Sequence, residues 1–268
     1  MSILEESVLK KKIYRSLMEL TKSPVQSWGI RKFTTSRVSK PLIRSFANVY
    51  KIDLNESEKK VTEFDTLQSL FIRELKPGIR QVASGDETIV SPVDGTLSET
   101  GLISEDATFT IKGQTYDVNE LVGLEDTGKR YLGGRYMLFY LSPTDYHRIH
   151  SPVEGEIVKT WALGTHSSPV NPLGLSLGDR VLAKNYRLLT EVSTEDDHRV
   201  CVVKIGALNV NSIHPGKAMA NGTVSKGEEM AYFSFGSSVM LLFEKGMVEK
   251  EILNGKVKYG EAIATITK

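Results

Sequence analysis

Residues 151–164 read SPVEGEIVKTWALG. A Ser-Pro turn opens the stretch, a glycine follows three residues on, and a segment containing Ile157, Val158 and Thr160 runs to a closing glycine. Short, β-branched and bounded by turn residues, it predicts a strand rather than a helix. The same opening stands at residues 91–96 as SPVDGT, sharing Ser-Pro-Val-acid-Gly, and NGTVSKGEE (221–229) echoes the turn-and-strand pattern. From residue 80 onward such segments follow one another: RYMLFYLSP, RVCVVKIGAL, NGTVSKGEEMAYFSF, SVMLLFEKG and GKVKYGEAIATI. Many short strands with turn signals between them predict a barrel- or sandwich-like β body.

The repeated turn adds a fold-level hint. It resembles the lipoyl-carrier and sugar-phosphotransferase barrels, in which paired hairpins fold over one another. Ahead of residue 80 the character is different. Ile3, Leu4, Val8, Leu9, Ile13, Leu17 and Met18 recur at near-helical spacing around Lys10–Lys12 and Arg15, which predicts an amphipathic helix. Trp28 to Tyr50 mixes Arg31, Lys32, Arg37, Lys40 and Arg44 with Phe33, Leu42, Ile43 and Phe46, and a further helix is expected over 66–75, capped by Asp65 or Thr66. The expected class is therefore α+β, mostly β: a basic helical region over 1–80 and a β-rich body over 81–268.

The net charge of +1 hides an asymmetry. Residues 1–52 carry 11 Lys and Arg against 3 Glu, a net of +8, and the remainder carries −7. A basic, partly apolar arm on an acidic body suits an anionic partner such as a lipid interface; it equally suits helices packed on the body with their charges in water. No nucleic-acid motif is present. Cys201, the one cysteine, rules out a disulfide framework. No apolar run approaches the roughly 20 residues a spanning helix needs, and the start has no signal-peptide h-region.

Residues 232–241, YFSFGSSVML, place Gly236, Ser237 and Ser238 inside a hydrophobic strand. Taken alone, a glycine there reads as a bulge or a close backbone approach. Two of the five histidines, His147 and His150, stand together in DYHRIH, on opposite sides if the chain is extended and convergent if it turns. No Cys, Asp or Glu at a ligand spacing completes a metal site around them. Asp94, His150 and Ser237 offer the residue types of a nucleophile, its base and an orienting carboxylate, but no G-x-S-x-G elbow accompanies them.

SPVDG, YLSPTDYHRIHSPVEG and KGEEMAYFSFGSSVMLLFEKG together resemble the phosphatidylserine decarboxylase family. The likeness extends through FIRELKPGIR (71–80), AKNYR (183–187) and KIGALNVNSI (204–213). FGSS stands where LGST is commoner, and AKNYR where Asn-Glu-Arg is, with Gly236–Ser237 intact. The resemblance implies a proenzyme that cuts itself between Gly236 and Ser237 into 1–236 and 237–268 and leaves a pyruvoyl group from Ser237. An unhindered glycine carbonyl suits that attack. Asp94, His150 and Ser237 would form the self-cleavage relay, with His150 as base and Asp94 as its orienter. His147 would move a proton in the later decarboxylation of phosphatidylserine to phosphatidylethanolamine, which would proceed through a Schiff base on the pyruvoyl carbonyl. The resemblance further implies peripheral docking of the basic arm on anionic membrane at the cytoplasmic face and continued association of the two cleavage chains; a homodimer stays open. The rivals are a pyruvoyl-dependent decarboxylase of a soluble amino acid and a non-enzymatic lipoyl-like carrier, the latter requiring a modifiable hairpin lysine.

Overall fold

The computed structural model describes residues 24–166, 168–207, 213–234, 237–251 and 254–267. The amphipathic helix expected over 3–18 and Gly236 of the Gly-Ser junction lie outside the described residues. The basic stretch folds as α1 (Pro24–Thr35), a 3-10 turn (Arg37–Leu42) and α2 (Ile43–Tyr50). Ile43, Phe46, Ala47 and Tyr50 fall at i, i+3, i+4 and i+7 and pack with Ile52, Phe64, Leu67 and Leu70. The other side stays in solvent, with Trp28, Phe33, Val38 and Leu42 exposed beside Arg31, Lys32, Arg37, Lys40 and Arg44.

The next helix, α3 (Leu67–Phe71), has Thr66 as N-cap: the Ser69 N–H donates to Thr66 Oγ1 and the Thr66 N–H to Ser69 Oγ. It stops short of the expected Leu75 because its tail is claimed elsewhere. Arg148 donates to the Ile72 carbonyl through Nε (3.3 Å) and Nη2 (3.1 Å), Glu58 N–H takes the Glu74 carbonyl, and Leu75 bridges Ser57.

The body is built from strands β1 (Thr88–Val90), β2 (Gly95–Leu102), β3 (Thr108–Ile111), β4 (Gln114–Asp117), β5 (Arg135–Leu141), β6 (Arg148–His150), β7 (Gly155–Leu163) and β8 (Arg187–Ser193). They are followed by β9 (Arg199–Gly206), β10 (Ile213–Pro215), β11 (Thr223–Val224), β12 (Glu229–Phe233), β13 (Ser237–Phe243), β14 (Val248–Glu251), β15 (Gly255–Val257) and β16 (Ala262–Ile266). Eight form one antiparallel sheet in the order β11-β7-β8-β9-β13-β5-β2-β15. Smaller sheets run β1-β16-β14, β10-β12-β6 and β3-β4. The large sheet remains open among the described residues, so the β body is layered rather than a closed barrel.

β13 lies at the centre of that sheet, paired with β9 on one side and β5 on the other, and every residue in it is buried. Both faces are covered, which is why its sequence reads as an unbroken apolar run rather than an alternation. Val239, Leu241 and Phe243 join one core with Ile149, Phe233 and Ile263; Met240 and Leu242 join another with Tyr131, Leu182 and Cys201. By the same alternation Ser237 faces the first core and Ser238 the second.

The repeat seen in the sequence is a structural duplication. Ser91 Oγ donates to the Val93 carbonyl (2.8 Å) and Ser151 Oγ to the Val153 carbonyl (2.6 Å). Each turn grips a second turn in the same way: Ser91 N–H to Glu261 O and Gly260 N–H to Ser91 O in one copy, Ser151 N–H to Glu228 O and Gly227 N–H to Ser151 O in the other. The copies also clasp each other, His150 N–H donating to Pro92 O and Val90 N–H to Pro152 O. Gly95 and Gly155 are required where each copy enters its strand, since an added Cβ would meet the Tyr140 carbonyl in one and the Ser193 carbonyl in the other.

Candidate active site

Ser237 is the first residue of β13, fully buried, and opposite Leu141 and Gly206 in the two flanking strands. Its Oγ lies 3.4 Å from His147 Nδ1. The far side of that imidazole, Nε2, is 3.0 Å from the Ser142 carbonyl, which can only accept, so Nε2 carries the proton and Nδ1 presents a lone pair to the serine. Phe71 stacks on the ring at 3.9 Å between centroids. Burial, and then the positive charge of Arg73, push the His147 pKa down to about 3, so the group is neutral at physiological pH.

His150 is three residues on and turns the other way. Its Nδ1–H donates to the Gly227 carbonyl (2.8 Å), Nε2 is 3.3 Å from the Tyr146 hydroxyl, and the ring stacks on Tyr259 at 3.8 Å and an interplanar angle of 4°. Burial lowers its pKa to about 4. Asp94, in the SPVDG turn, accepts from Arg80 Nη2 (2.6 Å) and Nε (3.3 Å) and from the Tyr259 backbone N–H (2.9 Å). Arg80 also reaches Glu56 (2.5 Å), whose pKa it lowers to about 2 with help from Lys258.

The expected hydrogen-bonded order Asp94, His150, Ser237 is therefore not what the described residues form. The serine meets His147, and Asp94 and His150 meet across Tyr259, which offers its N–H to one and its ring to the other. The reason is the strand: an odd separation along extended backbone sends His147 and His150 to opposite sides. Among the described residues, no group of three or more His, Cys, Asp or Glu is placed to hold a metal ion.

Residues that received no role from the sequence complete the site. Phe71, Arg73 and Arg80 all come from FIRELKPGIR, and Tyr146 and Tyr259 flank His150. Which acceptor each arginine finds, the Thr144 carbonyl for Arg73 and Asp94 for Arg80, depends on contacts 71 and 14 residues apart along the chain.

A buried serine at the head of a central strand, its hydroxyl set against a neutral imidazole, defines a serine–histidine site on a duplicated-hairpin β scaffold. Residues 67–265 match the phosphatidylserine decarboxylase family. The chain is 48% identical over 259 residues to a phosphatidylserine decarboxylase proenzyme of Halalkalibacterium halodurans, spanning 96% of this chain and 99% of that one. Proenzymes of the same name from Bacillus cereus and Bacillus anthracis are 46% and 45% identical over 260 residues, covering 96% of this chain and 98% of each relative. The chain belongs to the phosphatidylserine decarboxylase family.

Proposed function

We propose that this protein decarboxylates phosphatidylserine to phosphatidylethanolamine after cutting itself between Gly236 and Ser237, with Ser237 becoming a pyruvoyl group. The observation that carries the reading is the buried contact between Ser237 Oγ and His147, standing in the motif of the chain's own family. A pyruvoyl group at this position supplies an electron sink for the loss of carbon dioxide. Ser237 fits it: the residue is shielded from water, and an imidazole lone pair faces its side chain.

His147 serves the decarboxylation, holding or delivering a proton at the atoms Ser237 contributes. Asp94 and His150 serve self-cleavage with Ser237. The Gly227 carbonyl fixes the proton of His150 on Nδ1 and leaves Nε2 basic, while Asp94 stands behind Tyr259. A second reading has a specific observation in its favour: at 3.4 Å it is His147, not His150, that can take the Ser237 hydroxyl proton directly. Intact mass of denatured wild type, His147→Ala and His150→Ala separates them. A 32-residue fragment (237–268) in wild type and His147→Ala but not in His150→Ala, with decarboxylation lost in both variants, is the expected pattern. Cleavage lost only in His147→Ala gives the base role to His147. Active wild type in one unbroken chain overturns the proposal.

Of the strands in fragment 237–268, β13 pairs with β5 and β9, β15 with β2 and β16 with β1 of the other product, so the two chains stay associated. No helix among the described residues is long and apolar enough to cross a membrane. The exposed Trp28, Phe33, Val38 and Leu42, set among five basic residues, support peripheral docking on anionic lipid. Trp28→Asp together with Val38→Asp should reduce flotation on phosphatidylserine vesicles while cleavage continues; unchanged flotation removes the docking assignment.

A further inference from the structure

Arg73 leaves the end of α3 and turns inward until it is only 5% exposed. Its Nη2 donates to the Thr144 carbonyl (3.0 Å), while Nε and Nη1 find no hydrogen-bond partner among the described residues. A guanidinium keeps its charge and has five N–H donors, so burying it with most of them idle is costly unless something else accepts them. The neighbouring cations are already engaged: Arg80 with Glu56 and Asp94, Lys258 with Glu56, Lys256 with Asp145. Arg73 is the one among these whose buried donor nitrogens lack a partner among the described residues. It lines a cavity of about 360 Å³ together with Lys51, Asp94, Thr144 and Tyr146. Phe71, two residues before Arg73, stacks on His147, and Thr144, which Arg73 holds, stands three residues before that histidine, so the cavity lies on the side of the fold that carries the Ser237–His147 pair.

We propose that Arg73 is a substrate-binding residue that grips the phosphodiester of the lipid headgroup, presenting Nε and Nη1 to its oxygens. The inference rests on the function proposed above and deepens it. A phosphatidylserine headgroup has two anions, and the chemistry separates them. The carboxylate loses its charge as carbon dioxide departs, so an ion pair to it would stabilise the ground state more than the transition state and slow the reaction. The phosphodiester keeps its charge throughout and lies a few bonds from the reacting amine. An arginine fork matches its oxygens in pairs. Such an interaction is equally strong before and during reaction, so its loss raises KM and leaves kcat nearly unchanged.

The test uses the full chain. Wild type is first shown to process and to decarboxylate; failure there overturns the function and not the Arg73 assignment alone. Glycerophosphoethanolamine is then titrated calorimetrically into mature wild type, Arg73→Gln and Arg73→Lys, each confirmed as cleaved by mass. Arg73→Gln should bind about tenfold or more weakly, with Arg73→Lys between, because hydrogen bonds to a charged group are lost. KM for short-chain phosphatidylserine should rise in parallel. Ethanolamine without phosphate should bind all three alike. Equal affinity of wild type and Arg73→Gln for glycerophosphoethanolamine overturns the proposal. Inorganic phosphate binding as tightly as glycerophosphoethanolamine also overturns it, by making the site one for free phosphate. Should Arg73→Gln fail to mature, Arg73→Lys decides, since it keeps the charge and loses the fork.

Discussion

The two Ser-Pro-Val-acid-Gly turns share a backbone and differ in everything chemical. Both close a serine hydroxyl onto a carbonyl two residues on, both clasp a partner turn through the same pair of backbone bonds, and both enter a strand at a glycine no side chain could replace. In the first copy the acid is Asp94, 7% exposed and held by Arg80 and the Tyr259 N–H; in the second it is Glu154, exposed to solvent. The residue before the serine is Val90 in one and His150 in the other. The duplication makes the scaffold, and what lies over it makes the site. Phe71, Arg73, Arg80 and Glu56 all come from the segment before the β body and bring a half-buried carboxylate, the arginines and the ring that faces His147.

The largest effect should come from treating the two acids alike. Asp94→Ala removes one of the two carboxylates that balance Arg80, whose side chain is 5% exposed. Leaving a buried charge uncompensated costs about 3–5 kcal/mol, and because Arg80 keeps its bidentate pair with Glu56 the loss here falls at the lower end, about 3 kcal/mol. We expect a loss of that order in chemical denaturation, together with failure to yield the 237–268 fragment. Glu154→Ala, at the matching position, should change stability by no more than about 0.5 kcal/mol and leave cleavage intact. Equal effects at the two positions would mean that the asymmetry between the two turns has no energetic content.

A smaller effect separates Val90 from His150 by pH. His147 and His150 are buried neutral, with pKa values near 3 and 4, against about 6.5 in an unfolded chain. Between those limits the unfolded state binds more protons, so stability is full above about pH 6.5 and falls as the pH drops toward the folded values. Each histidine contributes a slope of up to about 1.4 kcal/mol per pH unit. Denaturation midpoints at pH 7 and pH 5 should therefore differ clearly, and His150→Gln should reduce the difference by about half. A pH response identical in wild type and His150→Gln would show that the imidazole is not held neutral by burial.

Much of this was legible in the residues. The turn repeat and the strand-rich body followed from Pro, Gly and β-branched spacing, and the capped start of α3 from Thr66, because those signals are local. The motif also brought Asp94, His147, His150 and Ser237 to attention as a set. What local signals could not carry is pairing. That His147 rather than His150 touches Ser237 depends on the register of β6 against β12 and on the loop that sets the Ser142 carbonyl under the imidazole. That α3 ends at Phe71 depends on Arg148, 76 residues later, taking the carbonyl of Ile72. The role of Arg80 was hidden for the same reason: its partners, Glu56 and Asp94, meet only after folding.

The smallest effect applies the same logic to one step of chain. Ser237 and Ser238 are adjacent, both fully buried, and identical in chemistry, yet alternation along β13 sends them to different cores. Ser237 meets an imidazole; Ser238 Oγ has no hydrogen-bond partner among the described residues. A buried hydroxyl without a partner contributes nothing that a methyl group would lose, so Ser238→Ala should be neutral or slightly stabilising. It should also leave the mass of the 237–268 fragment lower by one oxygen and its yield unchanged. Ser237→Ala should abolish the fragment. If Ser238→Ala slowed cleavage as severely, the two hydroxyls would have to share one environment, and the assignment of the two faces of β13 would fail with it.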